Sequence, residues 1–517
     1  MFIAKDGKMK ALSVEQSIMD GEKELKELFK YVETNALEFK AYDMEKVVFS
    51  RIMQIGFAAM KCYFAEKGTG DLGMEITLED GISLRKESTL RGRCYYSVFG
   101  KINVPRAYYY CEGLPGVMPL DALADLPERS YSYLLQDWMD TLSIRDSFKE
   151  SEITLSKLLG LKVSSGRFEV VNQESSKNYD RFYEKKELPS SDSEGMLQVV
   201  QFDGKGVPVI KKEAAKLKAR LGKGEKRVKK KEAMVGVSYT VDKNVRTPEE
   251  VAKKLIYPEK AKAEKEADEK ADVIVSKPPK AQNIRRTASL ERSKKEVAEE
   301  IMEDAERRNP DDLRPWVVVM DGALGLWNLV AKTFCGTDYA GVLDIIHVVE
   351  YLWVAGNALY GENHPETKKW VYKKLLSILL GNVGRVIGGF KQTLKKRKKL
   401  SKSKQEAIKK VIRYFENHRQ WMHYDDYLEA GFPVGSGVVE STCGHTVKDR
   451  MEGSGRRWSI EGAESTLLLR SVYTSGDWAA YWVWHMKLER IRLYGGAFEP
   501  LGIADDYYND IMTKKAA

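Results

Sequence analysis

Apolar residues recur at helical spacing through 14–66, which predicts two helices at the start of the chain. Between 93 and 108 the pattern becomes that of two strands around Gly100 and Lys101, which predicts a β-hairpin. Residues 131–184 return to helical spacing with the cadence of a helix-turn-helix. An ordinary pair of packed helices produces the same cadence, so this pattern leaves DNA binding open.

Four apolar runs farther along predict the strands of a sheet, at 197–204, 233–242, 316–322 and 342–347. The first and the third both end in an Asp-Gly pair. A helix is predicted to begin near Ser289. Because strands and helices alternate here, the fold class is predicted to be α/β.

Two further stretches have a distinct composition. Residues 243–285 are rich in Lys, Glu, Ala and Pro and poor in core residues, which predicts an inserted or mobile connection. A helical stretch is predicted from 364 to 427. The glycine-rich turn at 431–437 then opens a helix that begins at Val438.

The charge of this 517-residue chain is +9, and the excess is local. Residues 211–231 and 391–413 each carry eleven Lys and Arg, against two and one acidic residues. Concentrated basic segments favour a polyanionic partner, for which nucleic acid is the usual candidate. A solvated surface is the alternative interpretation.

Cysteine usage and hydropathy indicate the compartment. The five cysteines are odd in number and form no Cys-x-x-Cys pair, which is typical of a reducing cytoplasm. No apolar run is long enough for a secretory signal or a membrane span. We therefore expect a soluble cytoplasmic protein with no membrane partner.

Three acids carry the candidate chemistry: Asp203, Asp321 and Glu440. The first two end apolar strands, and the third lies in the first turn of a predicted helix. If the two strands are parallel neighbours, both carboxylates emerge at one edge of the sheet. Carboxylates suit Mg²⁺ or Mn²⁺, and two such ions support phosphodiester chemistry.

Each of these residues also has an ordinary interpretation. Asp-Gly is common turn chemistry, and a glutamate near a helix N-terminus is favourable without a catalytic role. Cys443 and His445 suggest metal ligation only weakly, because a second pair of ligands is missing. Trp458 is more often a core residue than a base-stacking platform.

The sequence from 431 to 464 carries the most specific motif. GFPVGSGVVES at 431–441, VKDRMEGSGRRWS at 447–459 and GAE at 462–464 resemble the C-terminal signature of ISKra-type insertion-sequence transposases. In this resemblance, which spans roughly 84–484, Asp203, Asp321 and Glu440 match the DDE triad.

The resemblance implies a ribonuclease H-like catalytic core, interrupted by an all-helical insertion before the glutamate. It implies Mg²⁺- or Mn²⁺-dependent cleavage of DNA at element ends by two ions, joining to target DNA, and a homo-oligomer on paired ends. Location near the nucleoid follows from DNA as the partner. Asp344 and His347 resemble the (C/D)xxH motif of mutator-like relatives, which implies a position near the active site.

Basic residues around the motif are predicted to contact DNA phosphates. On an α-helix, Glu440, Gly444 and Lys448 would share one face, which would bring Lys448 beside the metal site. Surface charge is the alternative interpretation. The predicted DNA-binding residues are Lys205, Lys448, Arg450, Arg456 and Arg457.

The predicted fold is an α/β, ribonuclease H-like mixed-sheet core with an all-helical insertion, preceded by helical and β-hairpin regions. Two rival functions stay open: a non-catalytic, domesticated or decayed DNA-binding protein, and a ribonuclease H-like nuclease that cuts without joining. The predicted segments are an N-terminal helical region (1–83), a β-hairpin region (84–130), a helix-turn-helix-like DNA-binding region (131–190), the first part of the core (191–363, with a charged insertion at 243–285), the all-helical insertion (364–430) and the C-terminal part of the core (431–517).

Overall fold

The structure, a computed structural model, describes residues 9–78, 81–217, 229–263, 278–397 and 400–495. The chain divides into two compact units, one of Met1–Asn178 with Ala479–Ala517 and one of Tyr179–Trp478. The six predicted segments are finer than these units and stay predictions. Parts of the basic runs and of the charged insertion lie outside the described residues. Within the described ranges, none of the helices combines the length and apolar character that a membrane crossing requires.

The first unit contains helices and short strands. Its helices are Val14–Asn35, Ala41–Glu66, Pro119–Leu123, Tyr133–Ser143, Phe148–Leu159 and Ser165–Ser175, and helix Trp478–Tyr494 returns the chain to it. Its strands are β1 (Glu75–Thr77), β2 (Ser83–Lys86), β3 (Arg91–Ser97), β4 (Gly100–Arg106) and β5 (Tyr109–Tyr110). The two helices predicted within 14–66 are therefore confirmed.

The predicted β-hairpin is confirmed by the antiparallel pairing of β3 and β4. Its turn lies at Val98 and Phe99, two residues earlier than predicted. The reason is that Gly100 adopts a φ of 140° and pairs with Ser97 as the first residue of β4. Glycine reaches this backbone conformation without the steric cost that a Cβ atom would bring.

A mixed five-stranded sheet lies in the second unit, in the order β10-β9-β6-β7-β8. β6 and β7 are antiparallel, as are β7 and β8, whereas β9 is parallel to both β6 and β10. This arrangement confirms the α/β fold class. The strands are β6 (Leu197–Pro208), β7 (Lys230–Val241), β8 (Gln282–Ser289), β9 (Trp316–Met320) and β10 (Tyr339–Leu343).

Helices of the second unit pack on this sheet, and others form the helical stretch predicted at 364–427. Phe202, Val318 and Trp327 belong to the core between the sheet and helices Lys294–Arg308 and Leu324–Thr333. The helical prediction for 364–427 is confirmed by Pro365–Leu379, Val383–Lys396, Lys402–His418 and Tyr424–Glu429. Further helices among the described residues include Tyr179–Lys185, Lys211–Lys216, Pro248–Ile256, Ile345–Tyr360, Gly437–Thr442, Asp449–Met451 and Ile460–Ser475, with a π-helical turn at Cys443–Lys448.

One strand is longer than its Asp-Gly ending predicts. β6 continues past Asp203 to Pro208, because β7 pairs with it residue by residue up to Lys230. The hydrogen bonds of this ladder replace the turn that Asp-Gly favours. On β9 the prediction holds, since that strand ends at Met320, directly before Asp321.

Residues 282–285, the end of the predicted insertion or mobile connection, belong instead to β8. The polar sequence of this strand gave no indication of its burial: Arg285 is only 3 % exposed, and its guanidinium donates to Glu300. The helix predicted near Ser289 consequently begins later, at Lys294, with Ser293 as its cap. Similarly, the strand predicted at 342–347 ends at Leu343.

Candidate active site

Three aspartates lie at one level of three neighbouring parallel strands. Val200 pairs with Val318 on β6 and β9, and Met320 pairs with Leu343 on β9 and β10. Counting onward in this register aligns Asp203, Asp321 and Asp344. The condition that the strands of Asp203 and Asp321 are parallel neighbours is therefore met. Asp321 and Asp344 directly follow their strands, whereas Asp203 lies inside β6, which continues to Pro208, so it does not end its strand as predicted.

Asp203 is held from two sides. Its Oδ1 accepts a hydrogen bond from the N–H of Gly204 at 2.6 Å, and its Oδ2 accepts one from Sγ of Cys443 at 3.3 Å. Burial raises the pKa of Asp203, and the negative charge of Asp321 raises it further. A nearby cation would therefore stabilise the ionised carboxylate.

Asp321 is positioned by the loop that follows β9. Its Oδ1 accepts from the N–H of Ala323 at 2.9 Å. The indole Nε1–H of Trp327 donates to its backbone carbonyl at 2.7 Å. Trp327 is buried and stacks on Trp421, with ring centroids 3.9 Å apart. A packed aromatic pair thus fixes the backbone that carries this carboxylate.

Asp344 caps the helix Ile345–Tyr360 and is fully buried. Its Oδ1 accepts from the N–H groups of Ile346 at 3.3 Å and Ser436 at 3.0 Å. Its Oδ2 accepts from the N–H of His347 at 3.3 Å and from Nδ1–H of the same residue at 2.7 Å. Both oxygens are therefore occupied, and Asp344 supports His347 and Ser436.

His347 lies beside Asp321 and keeps its charge more readily than an ordinary histidine. The hydrogen bond to Asp344 raises the pKa of His347 to about 9, and the charge of Asp321 contributes. The side chain of His347 is 33 % exposed. With Nδ1 engaged, its Nε2–H is the donor left for a ligand.

Glu440 is exposed in the short helix Gly437–Thr442, hereafter the Glu440 helix. Its Oε1 accepts from Oγ of Ser436 at 2.8 Å. Across the described part of the chain, one group of three potential ligands has its atoms within 4.8 Å of one another, and it is Asp344, His347 and Glu440. Asp203 and Asp321 are not in that group. The convergence of the three predicted acids therefore stays a prediction.

Residues Cys443–Lys448 form a π-helical turn with i→i+5 hydrogen bonds, which insert an extra residue into the turn. Lys448, at the end of this turn, is exposed, and its position beside the metal site stays a prediction. The same turn directs Cys443 inward to Asp203, where burial raises the pKa of the thiol.

Cys443 and His445 do not form a ligand pair. Cys443 is buried, whereas His445 is exposed and its Nδ1 lies 3.0 Å from Oδ2 of Asp449. The low weight given to metal ligation by these two residues agrees with this geometry.

The predicted DNA-binding residues differ in exposure. Arg457 is exposed, whereas Lys205 and Arg456 are half-buried, and Nη1 of Arg456 donates to the carbonyl of Arg450 at 2.7 Å. Arg450 is only 1 % exposed, and its guanidinium lies 4.5 Å from the ring centroid of Trp458. The prediction that Arg450 contacts DNA therefore does not fit its burial.

Trp458 is a core residue, as the more common interpretation predicts. It is 6 % exposed, its Nε1–H donates to the carbonyl of Met451 at 3.2 Å, and its backbone bridges to the chain that follows β6. The VKDRMEGSGRRWS motif at 447–459 thus has a structural role at Arg450 and Trp458.

Sequence reasoning did not single out Gln201, and it considered Cys443 only as a weak candidate for metal ligation, not as a partner of Asp203. Gln201 sits two residues before Asp203 on β6 and bonds to the segment that carries Glu440. A polar residue in an otherwise apolar strand was the available signal for Gln201. No local signal marks Cys443, because its contact with Asp203 depends on the π-helical turn.

A scan of the chain against protein-family models gave no match. A search of curated proteins likewise found no matching relative.

Proposed function

We propose that this protein is a DNA transposase that cuts strands at the ends of a bacterial insertion sequence and joins them to target DNA. The observation that supports this most is the alignment of Asp203 and Asp321 on parallel strands, with Glu440 exposed beside His347. The mixed sheet, with three antiparallel strands in succession and two parallel strands beside the first, supports a ribonuclease H-like core.

Two Mg²⁺ or Mn²⁺ ions are the cofactors of this proposal. Asp203, Asp321 and Glu440 fit them, because carboxylate oxygens are the donors that these ions prefer. Asp344 fits poorly, since both of its oxygens already accept hydrogen bonds. When bound, such ions activate the attacking oxygen and stabilise the leaving oxygen of a phosphodiester.

The chain's own residues orient the reacting groups. Gly204 and Cys443 hold the Asp203 carboxylate, and Ala323 holds that of Asp321. Nε2–H of His347 is available to donate to a phosphate oxygen. In the first step, water attacks phosphorus and the bond to the 3′ oxygen breaks. In the second, the freed 3′-hydroxyl attacks the phosphorus of a target phosphodiester, the bond to the target's 3′ oxygen breaks, and a new phosphodiester joins the two strands.

DNA is the partner, contacted through positive charge outside the acid cluster. Lys448 and Arg457 are exposed, and Lys205 follows Asp203 by two residues on β6. Such contacts position a duplex and carry no sequence information. A homo-oligomer on paired element ends belongs to the proposal through the family resemblance alone.

The test uses Asp203→Asn, Asp321→Asn and Glu440→Gln, with Asp338→Asn as the matched control. Asp338 is an exposed aspartate of the same unit, outside the acid cluster. The substrate is plasmid DNA that carries the regions flanking the gene, with Mg²⁺ or Mn²⁺. We expect the three site variants to lose cleavage and keep DNA binding, while the control behaves as the wild type.

Retained cleavage in Asp203→Asn would refute the assignment. Cleavage without joined products would favour a nuclease. Salt-dependent DNA binding with no metal-dependent product in the wild type would favour a non-catalytic binding protein.

A further inference from the structure

Gln201 is a buried amide on the strand that carries Asp203. It is 0 % exposed, and because side chains alternate along a strand, it shares a face of the sheet with Asp203. Its Oε1 accepts from the N–H of Val439 at 2.9 Å. Its Nε2 donates to the carbonyl of Gly435 at 3.4 Å and to Oη of Tyr239 at 3.2 Å. The amide orientation follows from its partners, since Val439 N–H only donates and Gly435 C=O only accepts.

These bonds join β6 to both ends of the turn that opens the Glu440 helix. The first N–H groups of a helix lack partners within it and need a cap. Ser436 occupies the cap position but makes no side-chain cap bond, and its hydroxyl donates to Glu440 instead. Gln201, which lies outside the helix, therefore caps it by accepting the hydrogen bond from the N–H of Val439.

The other anchor of this helix comes from a different strand. Asp344, directly after β10, accepts from the N–H of Ser436, and the N–H of Ile345 donates to the carbonyl of Val434 at 2.9 Å. Gln201 thus supplies a side-chain tie from the Glu440 helix to β6. A helix of six residues has little intrinsic stability, so its placement depends on such ties.

We propose that Gln201 is a positioning residue that holds Glu440 in place relative to Asp203. The inference rests on the proposed function, in which both carboxylates hold divalent ions. Loss of the amide would free the turn at Gly435 and the first turn of the Glu440 helix. The carboxylate of Glu440 would then sample positions that do not share a ligand with Asp203.

The experiment compares Gln201→Met with Gln198→Met, two substitutions of matched size on the same strand. Gln198 is also 0 % exposed, and its Nε2 donates to the backbone carbonyl of Tyr239 at 3.4 Å. It lies three residues from Gln201, so it faces the other side of the sheet. Methionine keeps the length of glutamine but lacks the amide, so it makes none of the side-chain hydrogen bonds of Gln201 or Gln198. The probe is Mn²⁺ alone, with its dissociation constant measured by titration calorimetry.

We expect Gln201→Met to weaken Mn²⁺ binding roughly tenfold or more, as loss of an outer-sphere support does in other metal sites, with Gln198→Met near the wild type. Hydrogen–deuterium exchange across 435–442 should accelerate in Gln201→Met only. If Gln201→Met does not fold, Gln201→Asn replaces it. The asparagine side chain is one methylene shorter, so its amide is too short to reach Val439 and Gly435 together.

An affinity of Gln201→Met within twofold of Gln198→Met, with unchanged exchange across 435–442, would overturn the proposal. Equal losses in both variants would also overturn it, because they would indicate a general effect of buried-amide removal. If the wild type itself fails to bind Mn²⁺, the proposed function fails. The exchange comparison then still decides whether Gln201 holds the Glu440 helix.

Discussion

Sγ of Cys443 lies 3.3 Å from Oδ2 of Asp203 and donates a hydrogen bond to it. The thiol is buried, and burial raises its pKa, so it stays protonated and remains a donor. One oxygen of Asp203 is therefore restrained by a residue 240 positions later in the chain. This contact links the π-helical turn after Glu440 to the first acid of the site.

Removal of this donor should impair the site without unfolding it. We expect Cys443→Ala to lower metal-dependent DNA cleavage about tenfold, and Cys443→Ser, which retains a donor, to lower it less. Cleavage rates at fixed Mg²⁺ concentration measure the difference. Cys335→Ala is the control, since Cys335 is exposed. Equal rates for the alanine and serine variants would show that the hydrogen bond has no role.

The pair of His347 and Asp344 should make stability depend on pH. Its hydrogen bond raises the pKa of His347 from 6.5 to about 9. Between these values the folded chain holds a proton that the unfolded chain has released. The stabilisation is thus complete below about pH 6.5 and is lost as pH rises through about 9. Because His347 is partly exposed, we expect this loss in the free energy of unfolding to be on the order of 1 kcal/mol.

Denaturant unfolding of His347→Gln from pH 6 to pH 10 tests this. The free energy of unfolding of the variant should fall less as pH rises, because the contribution of His347 is absent. His445→Gln is the control, because it removes an exposed histidine–aspartate pair of similar length. A decline in His347→Gln as steep as in the wild type would contradict the prediction.

Asp140 should destabilise the first unit as pH rises. It is fully buried, and burial raises the pKa of its carboxyl from 3.8 to about 8, although Ser175 and Asn172 lower it. Between these values the folded chain keeps a proton that the unfolded chain loses, so the free energy of unfolding falls with rising pH. Asp140→Asn should therefore stabilise the protein at pH 7, by on the order of 2–4 kcal/mol.

The measurement is the unfolding midpoint of Asp140→Asn and wild type at pH 5 and pH 8. The difference should be larger at pH 8. Asp43→Asn, which changes an exposed aspartate of the same unit, should change neither value appreciably. A gain that is equal at both pH values would mean that Asp140 is already ionised in the folded chain.

Arg450 and Arg457 should have separate roles although they lie in one motif. Arg457 is exposed, so Arg457→Ala should weaken DNA binding and reduce the slope of log affinity against log salt by about 1. Arg450 is buried against Trp458, so Arg450→Ala should lower stability by about 2 kcal/mol or more, through lost packing and cation–π contact.

Salt-dependent DNA binding and thermal unfolding, measured on both variants, separate these effects. An unchanged salt slope for Arg457→Ala would remove that residue from the DNA surface. An unchanged unfolding temperature for Arg450→Ala would show that its burial contributes little.

The local pattern of apolar and polar residues was sufficient to predict much of the fold. The apolar runs before Asp203 and Asp321 predicted two strands, and both strands form. The shared edge was conditional on parallel pairing of these strands, and the register shows that pairing. The helical stretch at 364–427 and the β-hairpin followed from periodicity in the same way. Such features depend on neighbours in sequence, so composition and spacing are enough to predict them.

Polar residues buried by distant partners were not predictable in this way. β8 was missed because Arg285 is charged, and its burial depends on Glu300 from another element. β6 was predicted too short, because the ladder with β7 overrides the turn preference of Asp203 and Gly204.

The sequence by itself determined that β9 ends before Asp321 and that the Glu440 helix follows a glycine-rich turn, because hydrophobic periodicity and glycine turns act locally. Only the tertiary structure decided how these residues meet. The bonds of Gln201 to Val439, of Asp344 to Ser436 and of Cys443 to Asp203 join residues between 92 and 240 positions apart. Their geometry follows from packing and from one π-helical turn, and neither leaves a local trace in the chain.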